Sequence, residues 1–167
     1  MLSNYLTANM QDKFKHLPLR NGVGIVLLNK NNKVFVAKRI DNPKNFWQMP
    51  QGGVDGDENY YDAALRELEE ETSIVSVEFI HEINKKLTYI LPDHLIGIIW
   101  KGRFKGQTQK WFVMRFTGSE TEINIKTKNP EFLDWKWIDL KDLTKIAVNF
   151  KLDVYKNLEQ EVSKILI

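Results

Sequence analysis

Apolar residues occur along most of the chain in short runs or in alternation, separated by polar turns. Residues 23–28 form a nearly unbroken apolar run and residues 33–40 a second β-rich run, and the Asn- and Lys-rich segment between them is typical of a turn. These two runs predict a β-hairpin. Further strands are predicted at residues 76–82, 87–91, 95–100, 110–117 and 134–138. In the segment KWFVMRF, Phe112, Met114 and Phe116 are predicted to face one side of a strand, and Trp111, Val113 and Arg115 the other.

Two segments change to the helical period. From about residue 59 to residue 72, the apolar Ala64, Leu65 and Leu68 recur at helical spacing among charged side chains. Residues 149–166 show the same period, and we expect this last helix to pack back on the sheet. Strands on both sides of one helix, with a second helix last, predict an α+β or layered α/β/α domain.

Length and composition limit the classes of protein. A chain of 167 residues fits a single core, so we expect an N-terminal tail at residues 1–16 and one domain at residues 17–167. There is no secretory signal and no apolar run near 18 residues, so we expect a cytoplasmic protein that does not enter membranes. The net charge of +2 does not indicate a partner. No obligate protein partner is evident, and we expect a monomer.

The available chemistry is narrow because the chain has no cysteine, which excludes disulfides, thiolate zinc sites and cysteine nucleophiles. His16, His81 and His94 show no spacing typical of metal ligands. The chemistry must therefore rest on carboxylates and amines.

Acidic residues concentrate on the first predicted helix. Glu67, Glu70 and Glu71 are three or four positions apart and share one helix face, where like charges destabilise a helix by roughly 0.2–0.5 kcal/mol per pair. A hard divalent cation such as magnesium would offset this repulsion, since it prefers oxygen ligands and commonly joins carboxylates to phosphates. Gly52 and Gly53 come shortly before the helix and allow a close backbone approach. The alternative is a solvated acidic face without function.

The spacing of this segment resembles the signature of the Nudix hydrolases. The matching positions are Gly52, Glu58, Arg66, Glu67, Leu68, Glu70, Glu71 and Ile74. The resemblance implies a Nudix-type α/β/α sandwich with a mixed sheet, a catalytic loop and helix, and a C-terminal helix. It also implies that Glu67, Glu70 and Glu71 hold magnesium or manganese, that Glu67 is a candidate base, and that Arg66 orients the glutamates.

Two further positions of this signature concern the ends of the predicted helix. Glu58 would either join the metal shell or simply favour the helix N-terminus. Ser73 replaces the signature glycine, and because that position is usually left-handed, serine there costs on the order of 1 kcal/mol or shifts the turn.

The similarity extends over residues 17–162 to a branch that includes RNA pyrophosphohydrolases and bacterial dinucleoside polyphosphate hydrolases. The motifs that carry it include FVAKRID, WQMPQGG, GQTQKWFVMRFTG and NFKLDVY. The resemblance implies a further metal ligand, Glu131, which from the sequence alone reads as an ordinary loop carboxylate. It also implies substrate-binding residues: Arg39, Gln51 and Lys151 for the 5′ polyphosphate, Phe150 for stacking on a base, and Arg20 as a weaker phosphate candidate. Arg39 would otherwise be the exposed end of a strand.

A basic and aromatic segment supports contact with nucleic acid. Residues 100–111 contain Lys101, Arg103, Lys105 and Lys110 among Trp100, Phe104 and Trp111. Basic groups follow phosphates and aromatic faces stack on bases in single-strand binders. Alternatively, Trp111 belongs to the core.

The leading expectation is a metal-dependent hydrolase that converts the 5′-triphosphate end of RNA to a monophosphate and releases pyrophosphate, which initiates mRNA decay. The nearest alternative is hydrolysis of dinucleoside polyphosphates such as diadenosine tetraphosphate. An alternative of another class is a non-catalytic nucleotide- or RNA-binding module, against which the intact glutamates argue.

Overall fold

A computed structural model of the chain describes residues 14–41 and 44–166. The elements in chain order are strands β1 (Leu19–Leu28), β2 (Val34–Arg39) and β3 (Gln51–Gly53), helix α1 (Tyr60–Thr72), strands β4 (Val77–Glu82), β5 (Leu87–Ile90), β6 (Gly106–Phe116) and β7 (Phe132–Ile138), and helices α2 (Leu143–Ile146) and α3 (Leu152–Ile165). Most predicted elements are therefore present, within a few residues of their predicted ends.

The strands of the described residues form one seven-stranded mixed sheet. Its main order is β4-β6-β1-β2-β7, with β3 added to β1 and β5 added to β6. The predicted hairpin of β1 and β2 is confirmed as an antiparallel pair, while β1 and β6 run parallel along ten paired residues. The short strand β3, which the apolar pattern does not predict, pairs with β1 and leads into the loop before α1.

The sheet lies between two helical layers. On β6, Phe112 and Met114 pack in a cluster with Leu68 of α1, whereas Trp111 and Val113 pack in a second cluster with residues of α3. The predicted alternation along this strand is confirmed, and both of its faces are buried because a helix covers each side of the sheet. The predicted α/β/α sandwich is confirmed.

The strand predicted at residues 95–100 is wrong. This segment forms turns and a short 3₁₀ helix, Ile99–Gly102, in which Trp100 and Lys101 have left-handed φ angles of 52° and 57°. The physical reason lies in the neighbouring strands, because β1 and β5 already occupy both edges of β6 at this end of the sheet. Leu95, Ile96, Ile99 and Trp100 instead pack against the core, whereas Ile98 is 73% exposed.

The predicted N-terminal tail lies mostly outside the described residues. Of its last residues, Phe14 packs against the core, and Lys105 Nζ donates to the backbone carbonyl of Lys15 at 3.2 Å. None of the helices in the described part of the chain is both long and apolar enough to span a bilayer.

Candidate active site

Helix α1 has well-defined ends. At its start, the Asn59 side chain accepts hydrogen bonds from the backbone N–H groups of Tyr61 and Asp62, as an N-cap does. At its end, Ser73 adopts the left-handed conformation with φ of 66°, and its N–H donates to the Glu69 carbonyl at 2.8 Å. The Ser73 hydroxyl also donates to the Asn124 carbonyl at 2.9 Å. Serine therefore keeps the turn that the signature glycine would make and adds a hydrogen bond.

Glu67 lies directly against the backbone of Gly52. A β-carbon built on Gly52 would be 2.0 Å from Glu67 Cδ, so only glycine leaves room for this carboxylate. Strand β3, which pairs with β1, thus lines one side of the carboxylate.

Arg66 ties the loop before α1 to the helix. Its Nε and Nη2 donate to the two oxygens of Glu58 at 2.9 Å each, and Nη2 also donates to the Gly53 carbonyl at 2.9 Å. Its Nη1 donates to Glu67 at 2.9 Å and to Glu70 at 3.2 Å. Arg66 thus contacts two of the glutamates that it is predicted to orient, and that role stays a prediction. Glu58 also accepts from the Asp55 N–H at 3.1 Å, so it joins the loop to Arg66. The hydrogen bonds from Arg66 lower the pKa of Glu58 to about 2.

Glu71 is a buried carboxylate with an unpaired oxygen. Its side chain is only 4% exposed, and Oε2 has no hydrogen-bond partner among the described residues. Burial raises the pKa of Glu71 well above its usual range, and the negative charges of Glu131 and Glu67 add to the effect while Arg39 opposes it. Such a group has a strong electrostatic reason to bind a cation.

Glu67 shows the same tendency more weakly. Burial is the main factor that raises its pKa, with contributions from Glu70 and Glu131, although the hydrogen bond from Arg66 opposes the shift. Glu131 therefore lies close enough to Glu67 and Glu71 to act on both. Its position follows from the end of β2, where the Ile40 N–H donates to the Glu131 carbonyl at 3.0 Å.

The carboxylates fit a hard divalent cation by their chemistry. Oxygen donors of Glu67, Glu70, Glu71 and Glu131 are the type that magnesium and manganese accept, and the orphaned Oε2 of Glu71 is a ready acceptor. Among the described residues, no three acidic or histidine side chains form a group that could hold a metal ion. Arg66 instead forms ion pairs with both Glu67 and Glu70. The metal roles of these four residues stay a prediction.

Arg39 lies beside the carboxylates and is held by a neighbour. Its Nε and Nη2 donate to the two oxygens of Asp41 at 2.8 and 2.9 Å. The Asp41 hydrogen bonds raise the pKa of Arg39, and the charges of Glu131 and Glu71 contribute as well. Arg39 is thus part of the cluster and not merely the exposed end of a strand.

Lys151 is a buried amine that interacts electrostatically with Arg39 and Glu71. Only 7% of it is exposed, and its Nζ donates to Gln48 Oε1 at 3.4 Å. Burial lowers the pKa of Lys151 to about 7, with a further lowering from Arg39, while Glu71 opposes the shift. Its charge therefore depends on pH near neutrality.

An aromatic pair lies next to this amine. The rings of Phe150 and Tyr89 have centroids 5.6 Å apart, and Lys151 Nζ lies 5.3 Å from the centre of the Tyr89 ring. Phe150 is where the resemblance predicted a base-stacking residue, but Tyr89 was not among the predicted site residues.

A buried glutamine network holds Gln51 and was missed by the sequence analysis. Gln109 Nε2 donates to Gln51 Oε1 at 2.9 Å, and Gln107 Nε2 donates to the Gly52 carbonyl at 3.0 Å. The Tyr89 hydroxyl donates to Gln107 Oε1 at 3.0 Å. The signal was the polar run QTQ at residues 107–109, in a strand that continues into the apolar residues 111–114, since fully buried amides need partners.

Arg20 lies on the other side of β3. Its guanidinium is 5.3 Å from the centre of the Trp100 ring, and a β-carbon on Gly53 would lie 2.3 Å from its Nη2. The structure thus brings Arg20 to the loop before α1, as it brings Arg39, Gln51 and Lys151 to the carboxylates.

The basic and aromatic segment is not one continuous patch. Trp111 is fully buried and donates to Gln109 Oε1 at 3.2 Å, which settles it as a core residue. Lys110 forms an ion pair with Glu82 at 3.4 Å and donates to the Asn84 carbonyl. Trp100 and Phe104 contact each other edge to face and remain together near Arg20.

The family model and the related proteins that match this chain agree on one family. Residues 18–158 match the model of the NUDIX domain. A protein named RNA pyrophosphohydrolase from Pelagibacter ubique is 64% identical over 157 residues, covering 94% of this chain and 99% of the relative. Another of that name from Rhodospirillum rubrum is 47% identical and covers 88% of each chain.

Solved structures agree on the fold. A C. elegans Ap4A hydrolase in a binary complex has a TM-score of 0.64 at 21% identity, over 87% of this chain and 99% of that one. The E. coli dihydroneopterin triphosphate pyrophosphohydrolase also has a TM-score of 0.64, at 20% identity, over 86% of this chain and 99% of that one. With the signature residues gathered around one loop and helix, and with these matches over nearly the whole chain, the protein belongs to the NUDIX domain family.

Proposed function

We propose that this protein is a metal-dependent RNA pyrophosphohydrolase, which converts the 5′-triphosphate end of RNA to a monophosphate, releases pyrophosphate and so initiates mRNA decay. The observation that carries the proposal is that carboxylates and cationic side chains lie close to one another. Arg39 interacts electrostatically with Glu71 and Glu131, and Lys151 interacts with Glu71. Glu71 in turn lies close enough to Glu67 for their charges to interact. Relatives named RNA pyrophosphohydrolase support the choice of substrate.

The cofactor follows from the family and the donor set. Nudix hydrolases generally need divalent metal ions, and we propose magnesium or manganese, held by Glu67, Glu70, Glu71 and Glu131. When bound, such an ion polarises phosphoryl oxygens and lowers the pKa of a bound water.

The protein supplies the proton acceptor from its own helix. Glu67 is partly buried, which raises the pKa of its carboxylate toward the range that suits a general base. Arg66 holds Glu67 through Nη1 at 2.9 Å, so the carboxylate keeps one position against Gly52.

Substrate binding uses the cations near the carboxylates. Arg39 and protonated Lys151 offer hydrogen bonds and positive charge to the polyphosphate. The side-chain oxygen of Gln51 accepts from Gln109, which holds the Gln51 amide for a contact with the substrate. Phe150 would place its ring on the first base, and its contact with the Tyr89 ring would help to hold it in place. Arg20 is available for a phosphate near the Gly53 end of β3.

The experiment compares two substrates at matched concentrations. Purified protein with magnesium is given 5′-triphosphorylated RNA in one reaction and diadenosine tetraphosphate in the other, and products are separated by chromatography. The proposal expects pyrophosphate and 5′-monophosphorylated RNA. Cleavage of the dinucleotide alone would support the dinucleoside polyphosphate hydrolase instead, and binding of either without turnover would support a non-catalytic module. The cytoplasmic location and monomeric state expected from the sequence stay predictions.

A further inference from the structure

Asp41 and Arg39 form a bidentate pair at the end of β2. Arg39 Nε donates to Asp41 Oδ1 at 2.8 Å, and Nη2 donates to Oδ2 at 2.9 Å. A guanidinium has five N–H groups in a planar fork, and this pairing uses only the edge formed by Nε and Nη2. The end of the group formed by Nη1 and the second N–H of Nη2 faces away from Asp41. That end has the spacing that suits two oxygens of a phosphate.

The two members of the pair differ in exposure. The Asp41 side chain is 68% exposed and the Arg39 side chain 38%, so Asp41 is the outer partner. Glu71 and Glu131 act on Arg39 from within the cluster. The strand end that carries the pair is fastened by the hydrogen bond from the Ile40 N–H to the Glu131 carbonyl. Arg39 therefore lies between an outer carboxylate that holds it and an inner cluster that the substrate would enter.

We propose that Asp41 is a positioning residue, which holds the Arg39 guanidinium with its free end directed at the substrate phosphates. The proposal rests on the proposed function, in which Arg39 binds the polyphosphate. An arginine side chain has many rotamers, and ordering it only when the substrate arrives would weaken binding. Asp41 removes that cost because the side chain is already ordered in the free protein. Asp41 also sets a negative charge beside the two cations Arg39 and Lys151, which otherwise repel each other.

Asp41 has one alternative role, which predicts the opposite change in KM when its charge is removed. It would compete with the substrate for the guanidinium, and its removal would then tighten binding. The bidentate geometry argues for positioning, since Asp41 contacts only the Nε and Nη2 edge of the fork and is the more exposed partner. Among the described residues, no hydrogen bond from the other end of the fork competes with a phosphate.

The test uses the full-length protein with magnesium and triphosphorylated RNA. Asp41→Asn keeps the size of the side chain and removes its charge. We expect KM to rise by about tenfold, with kcat changed by less than about threefold. Asp139→Asn is the matched control, since Asp139 is a half-exposed carboxylate that pairs with Lys33 at the opposite end of β2, and KM should stay within about twofold. The thermal midpoint of both variants should stay near that of the parent, because exposed ion pairs contribute little to stability.

A double-mutant cycle separates positioning from a general effect of charge. In an Arg39→Ala background, Asp41→Asn should raise KM by no more than about twofold, because nothing remains to be positioned. A fall in KM for Asp41→Asn would overturn the proposal in favour of competition. A tenfold rise that persists without Arg39 would overturn it in favour of a direct role.

Failure of the proposed function would appear in the parent protein, before any variant is compared. If the parent cleaves only diadenosine tetraphosphate, the same cycle is measured with that substrate. If the parent cleaves neither, the dissociation constant for inorganic tripolyphosphate is measured in place of KM. Asp41→Asn should then raise this constant by about tenfold, whereas Asp139→Asn, or Asp41→Asn in the Arg39→Ala background, should change it by no more than about twofold.

Discussion

Glu67 and Gly52 are in direct contact, with the carboxylate occupying the place where a side chain at position 52 would begin. A methyl group there would lie 2.0 Å from Glu67 Cδ, so the carboxylate or strand β3 must move. We therefore predict that Gly52→Ala lowers kcat by about a hundredfold or more, since small misplacements of a reacting group have effects of that size. Steady-state kinetics on triphosphorylated RNA measure this.

Gly56→Ala is the matched control for that prediction. A β-carbon on Gly56 meets nothing within 4 Å, but φ of 51° is left-handed, so alanine costs on the order of 1 kcal/mol of stability without displacing Glu67. Gly56→Ala should therefore lower the thermal midpoint and keep most activity. Equal loss of activity in both variants would show that the loop, and not the contact with Glu67, is what matters.

Glu71 is expected to limit the stability of the metal-free protein. Because burial raises the pKa of Glu71, its carboxyl group contributes most to stability when the pH is below the unfolded-state pKa of about 4.5. This contribution is lost as the pH rises through the folded-state pKa. Glu71→Gln removes the buried charge, so we predict a higher thermal midpoint at pH 7–8 in chelator. The same variant should lose about a hundredfold or more in turnover and show a smaller increase in thermal midpoint with magnesium than the parent. A lower midpoint in chelator, with full activity, would contradict the account.

Lys151 should impose a pH dependence on substrate binding. Its pKa of about 7 means that it is charged below neutrality and loses its proton as pH rises, together with its attraction for phosphate. We predict that kcat/KM for triphosphorylated RNA falls by up to about tenfold per pH unit above pH 7. Lys151→Arg keeps its charge over this range, so its profile should be flatter. Parallel profiles for the two proteins would assign the fall to another group.

Ser73 should have two opposing effects on stability at the end of α1, namely left-handed backbone strain and a side-chain hydrogen bond. Ser73→Ala keeps the left-handed strain and loses the hydrogen bond to the Asn124 carbonyl, so we predict a loss of about 1 kcal/mol in the free energy of unfolding. Ser73→Gly loses the same bond but relieves the strain, and should lie within about 0.5 kcal/mol of the parent. Urea denaturation followed by circular dichroism measures both. If alanine and glycine proved equally destabilising, the left-handed strain would be absent.

The periodic patterns predicted the parts of the fold that burial determines. Strand β6 is covered on both faces, so its apolar residues alternate between two clusters, and the helical period of α1 marks the stripe that contains Leu68. The segment around Trp100 is equally apolar, yet no free edge of β6 remains at that end for it to pair with. An apolar run shows that a segment is buried, whereas pairing depends on what other strands already occupy.

The candidate site was predicted where spacing along one helix or one motif carries it. Arg66, Glu67, Glu70 and Glu71 share a single turn and a half of α1, so their proximity follows from helical geometry. Asp41 lies two residues from Arg39 and still could not be foreseen, because its pairing depends on side-chain direction at a strand end. The contact of Tyr89 with Phe150 joins β5 to the segment before α3, and no local pattern predicts such a contact.

The most direct test of the central claim is release of pyrophosphate from triphosphorylated RNA by the parent protein, Glu70→Ala and Glu69→Ala, each with magnesium. Both glutamates are exposed on α1, but only Glu70 contacts Arg66. The account predicts that Glu70→Ala loses about a hundredfold or more in rate, while Glu69→Ala stays within about twofold of the parent. A Glu70→Ala protein that releases pyrophosphate at the parent rate would contradict it.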